Sequence, residues 1–290
     1  MNLLTIADHD AEALGQMLAL AGTKATPLAG KGAALLFEKP SARTRHSMEM
    51  AVVGLGGHPV TVRADEVGIG SRESPEDVAR TLACYHAVIA ARVKDHALLD
   101  KFASAVPGTP VINMLSERAH PLQALADLLT VKQVRGSIDG AVIAFVGDGN
   151  NVARSLAVGA SKLGAEFRLA APSGYAFDGD IASMAGVSHA ASPEEAVDGA
   201  DFVYTDVWVS MGQDEESEER RAAFMPFQVD EALMARAKPN AKFLHCLPAI
   251  RGQEVTAPVI DGPQSAVFQQ AENRLHSARG ALAWLMGERP

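Results

Sequence analysis

Two hydroxyl residues and an arginine lie close together where a predicted strand gives way to a predicted helix. The apolar run Gly32–Phe37 is followed by Pro40, which stops the strand, and by Ser41, a residue type that caps helix N-termini. A helix start offers unpaired backbone N–H groups and a partial positive charge, so it attracts anions. Arg43 and Thr44 add a planar guanidinium and a hydroxyl in the first turn. The stretch therefore favours a phosphate or carboxylate site.

Arg45 has a different expected role from Arg43, because residues two apart on a helix face different directions. Glu49, one helical turn further on, is its expected ion-pair partner. The alternative for the whole stretch is a capped helix with surface arginines.

A second helix start carries an imidazole and an amide. In "ERAHPLQALADLLT", Pro121 fits the first position of a helix. His120 and Gln123 are three residues apart, so both can point from the same end of that helix. We expect them to donate to a carbonyl or a phosphate, against the alternative that His120 is a cap or a satisfied polar residue.

The stretch "AVIAFVGDGNNVARSL" combines a strand, a glycine turn and a helix. It invites a dinucleotide-binding interpretation, but the third glycine of that fingerprint is replaced by Val152, and the next strand ends without a carboxylate. NAD binding is therefore not expected. Asn150 and Asn151 at the helix start suit a carboxylate or amide ligand instead.

Two further side chains follow predicted strands. The carboxylate of Asp206 could hold an ammonium group. Cys246 also follows a predicted strand, and the alternative to a functional role for this cysteine is inert packing in the core. His245 and Cys246 are expected to face opposite sides if both lie in the strand. The acidic segment at 212–221 reads as a surface loop or helix start with a solvated face.

Composition limits the classes of protein. At 290 residues, with 48% apolar and 21% charged residues, the chain is long enough for two globular domains. A net charge of -9 argues against nucleic-acid or anionic-membrane partners. The two cysteines form neither a disulfide framework nor a zinc pattern. We find no signal peptide and no apolar run long enough to span a membrane, so we expect a soluble cytoplasmic protein.

Strand and helix signals alternate along the chain, which predicts an α/β fold: two domains, each a mostly parallel sheet flanked by helices, with a ligand cleft between them. We place the boundary in the polar stretch at 131–140. The predicted domains are 1–134, joined by a C-terminal helix at 271–290, and 135–270. The predicted strands are 33–37, 58–62, 87–91, 111–114, 141–146, 167–171, 202–205 and 242–246. The predicted helices are 10–20, 41–55, 74–83, 121–134, 151–163, 193–197, 229–237 and 271–286.

Together these motifs resemble the aspartate/ornithine transcarbamoylase family. Two of them resemble motifs shared across that family, and three resemble its ornithine-type members, in the expected order over nearly the whole chain. The shared motifs are Ser41-Ala42-Arg43-Thr44-Arg45 and His120-Pro121-Leu122-Gln123. The ornithine-type motifs are Asp206-Val207-Trp208-Val209-Ser210-Met211-Gly212, His245-Cys246-Leu247-Pro248 and Ala271-Glu272-Asn273-Arg274.

The resemblance implies a reaction and an assembly. Carbamoyl phosphate and L-ornithine would give L-citrulline and phosphate, without a metal or organic cofactor. The N-terminal domain would bind carbamoyl phosphate, the C-terminal domain would bind ornithine, and the last helix would return to the first domain. The family forms trimers with active sites near subunit interfaces, so a homotrimer is expected.

The resemblance also implies site residues, carried over position by position. The implied catalytic residues are Arg43, Arg92, His120 and Cys246. The implied carbamoyl phosphate-binding residues are Ser41, Ala42, Arg43, Thr44, Arg92, His120, Gln123, Cys246, Leu247 and Arg274. The implied ornithine-binding residues are Asn151, Asp206, Ser210 and Met211.

The chain departs from the family pattern at three positions. Ala42 replaces a usual threonine, Gly68 stands where a glutamine or histidine reaches a neighbouring subunit's phosphate, and Ile250 replaces a common histidine. We therefore expect weak carbamoyl phosphate binding, with Ala42→Thr and Gly68→Gln each lowering the KM. These departures leave open a paralogue that carbamoylates another amine, and a catalytically weakened binding or regulatory homologue.

Overall fold

The computed structural model describes residues 1–177, 179–209 and 216–290. The chain folds into two compact units, Met1–Ala126 with Glu272–Pro290, and Asp127–Ala271. Each unit contains a parallel sheet flanked by helices, which confirms the predicted fold class. Within the described ranges, no helix is both long and apolar enough to cross a membrane.

The elements alternate along the chain. The strands are β1 Gly32–Phe37, β2 His58–Arg63, β3 His86–Arg92, β4 Val111–Leu115, β5 Val142–Val146, β6 Glu166–Ala170, β7 Val187–His189, β8 Phe202–Thr205 and β9 Lys242–His245. The helices are α1 Ala11–Ala19, α2 Ala42–Gly54, α3 Ala64–Val67, α4 Pro75–Tyr85, α5 Ala97–Ala105, α6 Pro121–Arg135, α7 Asn151–Lys162, α8 Pro193–Val197, α9 Ser217–Phe224, α10 Glu231–Met234, α11 Ala257–Ile260 and α12 Val267–Leu285.

The first unit has the strand order β2-β1-β3-β4. The chain leaves β1 towards β2 on one side and returns to β3 on the other, so the order reverses between β1 and β3. The last residues of these strands, Phe37 and Arg92, are paired in register. Ligands of open α/β sheets bind at such reversals, outside the carboxyl ends of the strands. The residues after β1 and at the end of β3 are therefore placed to form a site.

The C-terminal helix packs on the first unit through α1. Gly280 makes this approach possible, because an added Cβ would lie 2.1 Å from the carbonyl oxygen of Met17. The indole N–H of Trp284 donates to Gln16 at 2.8 Å, and the Arg279 Nε donates to the carbonyl of Ala21 at 2.9 Å. These contacts fix the part of α12 that carries Arg274.

The second unit has the strand order β7-β6-β5-β8-β9, and its order reverses between β5 and β8. Phe145 on β5 and Tyr204 on β8 are paired in register and stack with ring centroids 5.0 Å apart. The turn after β5 and the residue after β8 therefore emerge side by side. Helix α7 begins after the turn that follows β5, and Asp206 is the first residue after β8.

Apolar side chains bury both faces of the two sheets. Leu36 and Ile89 pack with Phe102 in the first unit, and Val203 packs with Phe243 in the second. Each such side chain contributes roughly 1.5–3 kcal/mol of burial free energy. The buried sheets hold the strand ends, and thus the polar residues that follow them, in fixed positions.

All eight predicted strands are present, and the elements that the sequence prediction omits are mostly short. They are β7, α3, α5, α9 and α11. Helix α5 buries Leu99 and Phe102 at helical spacing, a signal that the sequence does carry. Strand β7 has three residues and pairs only with β6 among the described strands, so tertiary pairing defines it rather than a sequence pattern. The predicted helix at 229–237 shortens to α10, which Asp230 caps by accepting from the Leu233 N–H.

Candidate active site

Ser41 caps helix α2, as predicted. Its hydroxyl oxygen accepts from the Thr44 N–H at 3.4 Å, and the two hydroxyl oxygens lie 3.2 Å apart. Arg43 is exposed in the same turn. Arg45 forms the expected ion pair with Glu49, with the Arg45 Nε 2.9 Å from the carboxylate. This ion pair confirms the pairing predicted for Arg45.

Arg92 joins this cluster from the end of β3. Its side chain is buried, and its Nη1 donates to the Thr44 hydroxyl at 3.2 Å. The two residues are 48 positions apart in the chain and meet because β1 and β3 are neighbours. The strand reversal thus places a guanidinium next to a helix N-terminus, which is a favourable arrangement for an anion.

His120, Gln123 and Arg274 form a second buried group in the same unit. The Arg274 guanidinium donates to the Gln123 side-chain oxygen, and its Nη1 lies 3.5 Å from the His120 Nε2. The hydroxyl of Ser277 donates to the Leu122 carbonyl at 3.2 Å, which ties α12 to the start of α6. The predicted pairing of His120 with Gln123 at one helix start is therefore present, and Arg274 joins them from the C-terminal helix.

The electrostatics of His120 follow from its burial. Its side chain is 4% exposed. Loss of solvation lowers the pKa of His120 well below its ordinary value of 6.5, and the charges of Arg274 and Arg92 lower it further. The imidazole is consequently neutral at physiological pH and can donate or accept one hydrogen bond at each nitrogen.

In the second unit, Asp206 lies at the centre of a hydrogen-bonded cluster. Its Oδ2 accepts from the Asn150 side-chain amide at 2.9 Å, and its Oδ1 accepts from the Cys246 thiol at 3.0 Å. Asn150 caps α7 by accepting from the Val152 and Ala153 N–H groups. Sequence patterns do not predict the contact between Asn150 and Asp206, because it depends on the adjacency of β5 and β8.

Asn151 is half-buried in the first turn of α7, next to this cap. Ser210 and Met211 lie outside the described residues. Leu247 follows the cluster with a φ of 59°, an uncommon conformation for a residue with a side chain.

Strand β9 ends at His245, so Cys246 is the first residue beyond it. The predicted strand end at 246 is therefore one residue too long, and the expected alternation of the two side chains does not apply. One ligand-type atom from each of Asp206, His245 and Cys246 lies within 4.8 Å of the others. However, the His245 Nδ1 accepts from the Leu247 N–H at 2.9 Å, and its Nε2 lies 3.1 Å from Glu254. Both ring nitrogens are engaged, so the three residues do not offer a ready metal site.

The prediction that segment 212–221 is only a solvated face is wrong for Arg220. Its side chain is 4% exposed and pairs with Asp148, and its Nε donates to the Trp208 carbonyl at 2.7 Å. The guanidinium also lies 4.8 Å from the ring centroid of Tyr175 and 5.4 Å from that of Phe224. Burial raises the pKa of Asp148, and Arg220 opposes that rise. Sequence patterns do not distinguish this arginine from its exposed neighbours.

The three departures from the family pattern occupy different environments. Ala42 is exposed at the first position of α2, and Ile250 is exposed. Gly68 has a φ of 66°, and an added Cβ would lie 2.7 Å from the Cβ of Arg72. A glutamine at Gly68 would therefore strain the backbone and displace Arg72, which changes the expectation for Gly68→Gln.

Buried arginines, a neutral imidazole, amides and a carboxylate at the ends of parallel strands are typical of an α/β enzyme that acts on small charged substrates. Residues 2–133 match the model of the aspartate/ornithine carbamoyltransferase carbamoyl-P binding domain. Residues 139–285 match the Asp/Orn binding domain of the same family. The chain belongs to the aspartate/ornithine carbamoyltransferase family.

Relatives agree with this assignment over the full length of the chain. An anabolic ornithine carbamoyltransferase from Pyrococcus furiosus is 44% identical, covering 99% of this chain and 96% of the relative. An ornithine carbamoyltransferase from Bacillus subtilis is also 44% identical, covering 97% and 92%. The solved structure of the Pyrococcus furiosus enzyme has a TM-score of 0.94 at 43% identity, covering 100% of this chain and 98% of that one.

Proposed function

We propose that this chain transfers the carbamoyl group of carbamoyl phosphate to the side-chain amine of L-ornithine, giving L-citrulline and phosphate. One observation carries the proposal: residues 2–133 match the family's carbamoyl-P binding domain and residues 139–285 match its Asp/Orn binding domain. Carbamoyl phosphate is assigned to the first unit and ornithine to the second.

In the first unit, the phosphate group is assigned to the start of α2 and to the arginines. Ser41, Arg43 and Thr44 supply hydroxyls, a guanidinium and backbone N–H groups, and Arg92 lies beside Thr44. Charge on the leaving phosphate grows as the C–O bond breaks. Donors that are already in place therefore stabilise the transition state more than the ground state. Arg274 supplies a second buried guanidinium.

The carbamoyl carbonyl is assigned to His120, Gln123 and Thr44. A neutral imidazole can donate one hydrogen bond to the carbonyl oxygen without placing a third positive charge beside Arg274 and Arg92. The amine nitrogen then attacks the carbonyl carbon, the C–O bond to phosphate breaks, and phosphate leaves with the electron pair. The nitrogen loses one proton and the departing phosphate gains one, so the products are the carbamoylated amine and hydrogen phosphate.

In the second unit, Asn151 is assigned to the ornithine α-carboxylate and Asp206 to the amino end. The family resemblance also assigns Ser210 and Met211 to the amino end of ornithine. The attacking amine must be neutral, although its reference pKa is near ~10. The Cys246 thiol lies 3.0 Å from Asp206, so two groups that can exchange hydrogen bonds with the amine are adjacent. The family resemblance also assigns Cys246 and Leu247 of this unit to carbamoyl phosphate, in addition to the residues of the first unit.

The test is a citrulline assay with ornithine, lysine, putrescine and acetylornithine offered side by side. Ornithine should give the highest rate. Arg43→Ala should lower kcat/KM by about 100-fold or more, since a charge-assisted contact of about 1.5–3 kcal/mol is lost together with transition-state stabilisation. Arg45→Ala is the matched control and should stay within about twofold, because Arg45 pairs with Glu49 on the surface. Equal losses in the two variants would contradict the phosphate assignment.

The same assay separates the alternatives. A paralogue would favour another amine over ornithine, and a binding or regulatory homologue would bind carbamoyl phosphate without turnover. Ala42 leaves the α2 start with one hydroxyl fewer than the family pattern, so Ala42→Thr should lower the KM for carbamoyl phosphate.

We also propose a cytoplasmic homotrimer. Support comes from the family resemblance and from exposed apolar side chains beside the edge strand of the first sheet. Met50 and Val53 on α2 are 54% and 50% exposed, and Val60 on β2 is 36% exposed. Light scattering coupled to gel filtration should give three times the 30.5 kDa chain mass. Val53→Glu should reduce that mass, and an unchanged mass would argue against this face.

A further inference from the structure

The hydrogen bonds of His245 determine its protonation. A backbone N–H can only donate, and the Leu247 N–H donates to the His245 Nδ1 at 2.9 Å. The Nδ1 therefore carries a lone pair and no proton. A neutral ring must then carry its proton on Nε2, which lies 3.1 Å from the Glu254 Oε1. His245 is thus a neutral imidazole that donates to a carboxylate.

Glu254 holds that tautomer in place. Its side chain is completely buried, and its Oε1 also accepts from the Ile250 N–H at 2.6 Å. One carboxylate oxygen thereby joins the ring of His245 to the backbone N–H of Ile250, five residues further along the chain. The backbone N–H of His245 donates to Gln270 at 2.9 Å, which fixes the residue from its other side.

Cys246 lies between the two ends of this arrangement. The ring of His245 folds forward onto the N–H of Leu247, so the backbone of Cys246 is enclosed in a short hydrogen-bonded loop. Leu247 has a φ of 59°, a conformation that is unfavourable for a residue with a Cβ and needs support from its surroundings. The direction of the Cys246 thiol, which donates to Asp206 at 3.0 Å, depends on this loop.

We propose that His245 and Glu254 are positioning residues that hold the Cys246 thiol against the Asp206 carboxylate. Glu254 fixes the ring of His245, the ring fixes the Leu247 N–H, and the loop so formed aims the thiol. The expected effect of these residues on kcat rests on the proposed carbamoyl transfer. Their effect on the direction of the Cys246 thiol does not, because the reactivity of that thiol can be measured without substrate.

The alternative is that His245 and Glu254 only stabilise the fold. The rate at which iodoacetamide alkylates Cys246 distinguishes a positioning role from a purely stabilising one. A thiol that donates to a carboxylate reacts slowly, because its thiolate would face a negative charge. The chain has two cysteines, so Cys84→Ser leaves Cys246 as the only thiol. Cys84 is exposed on α4, and a serine can keep its contact with the Arg80 carbonyl.

Two matched pairs of variants are made in that background. Glu254→Gln keeps an oxygen that can accept from His245 and Ile250, whereas Glu254→Ala removes it. His245→Asn keeps a side-chain oxygen that can accept from the Leu247 N–H, as in an Asx turn. His245→Leu has no side-chain acceptor for that N–H. Both His245 variants leave Glu254 without its ring partner, so their difference isolates the bond to Leu247.

We expect Glu254→Ala and His245→Leu to alkylate at least about fivefold faster than the parent, and Glu254→Gln and His245→Asn to stay within about threefold. The kcat for citrulline should fall about 10- to 100-fold in Glu254→Ala and about threefold or less in Glu254→Gln. Val197→Ala, a core truncation in α8 of the same unit, should change neither rate beyond about twofold.

Equal alkylation rates within each pair would overturn the proposal, as would a Val197→Ala variant that alkylates as fast as Glu254→Ala. If Glu254→Ala does not fold, the His245 pair decides the question alone. A parent protein that forms no citrulline would refute the proposed function. The alkylation rates would still decide whether the loop aims the thiol.

Discussion

Burial of His120 between two arginines predicts a specific loss of stability at acidic pH. The folded protein keeps this imidazole neutral, because its pKa lies well below the ordinary 6.5. The unfolded chain takes up a proton near the ordinary value. Below about pH 6.5 the unfolded state therefore binds more protons, and the free energy of unfolding falls as the pH falls. Above that pH, both states are neutral and His120 contributes no pH dependence.

The magnitude follows from linkage. One proton bound only by the unfolded state changes the free energy of unfolding by at most about 1.4 kcal/mol per pH unit. Over the pH range in which the folded imidazole stays neutral, the loss is on the order of 1 kcal/mol at one pH unit below the ordinary pKa, and less than half of that at the ordinary pKa itself. His120→Gln retains a polar side chain near Arg274 and cannot titrate, so it should lack this component.

The assay compares urea unfolding of the wild-type protein and His120→Gln at about pH 8.0, 6.5 and 5.5. Other histidines titrate in both proteins, so only the difference in pH dependence is attributed to His120. Hydrogen–deuterium exchange at the imidazole C2, followed by mass spectrometry, assigns the effect to this residue. Parallel pH profiles of the two proteins, or exchange showing ordinary titration of His120, would refute the electrostatic account of this group.

Three further substitutions test other parts of the structure. Arg274→Lys should raise the KM for carbamoyl phosphate about 10- to 100-fold in steady-state kinetics, because an ammonium lacks the planar fork; an unchanged KM would remove Arg274 from the site. Gly68→Gln should lower the Tm by several degrees without improving the KM, because of strain against Arg72; a lower KM would contradict this. Arg220→Ala should lower the Tm, since it leaves the half-buried Asp148 without this cation; an unaltered melting curve would refute it.

Local patterns in the sequence predicted the scaffold well. The β1 run and the Ser41 cap are local features, and the structure has both within one residue of the expected bounds. The ion pair of Arg45 with Glu49 is also local, since helix geometry brings residues four apart together. Elements that depend on a neighbour, such as β7, were missed because three residues carry too little pattern of their own.

The polar contacts of the candidate site depend on strand order, which a single sequence does not show. Thr44 and Arg92 meet because β1 and β3 are adjacent, and Asn150 meets Asp206 because β5 and β8 are adjacent. Motif resemblance had grouped several of these residues without saying which atoms touch. The role of Arg220 was missed for the same reason, since its burial depends on Asp148, 72 positions away.

A single physical cause links the neutral histidine of the first unit to its anion-binding arginines. Burial removes water from His120, Arg92 and Arg274 alike. Guanidinium groups keep their protons under these conditions because they are very weak acids, whereas an imidazole gives its proton up. The low dielectric that discharges His120 also strengthens the attraction of the two arginines for an anion. An acidic protein with a net charge of -9 can therefore bind a small acyl phosphate at one buried point while its surface remains unsuited to nucleic acid.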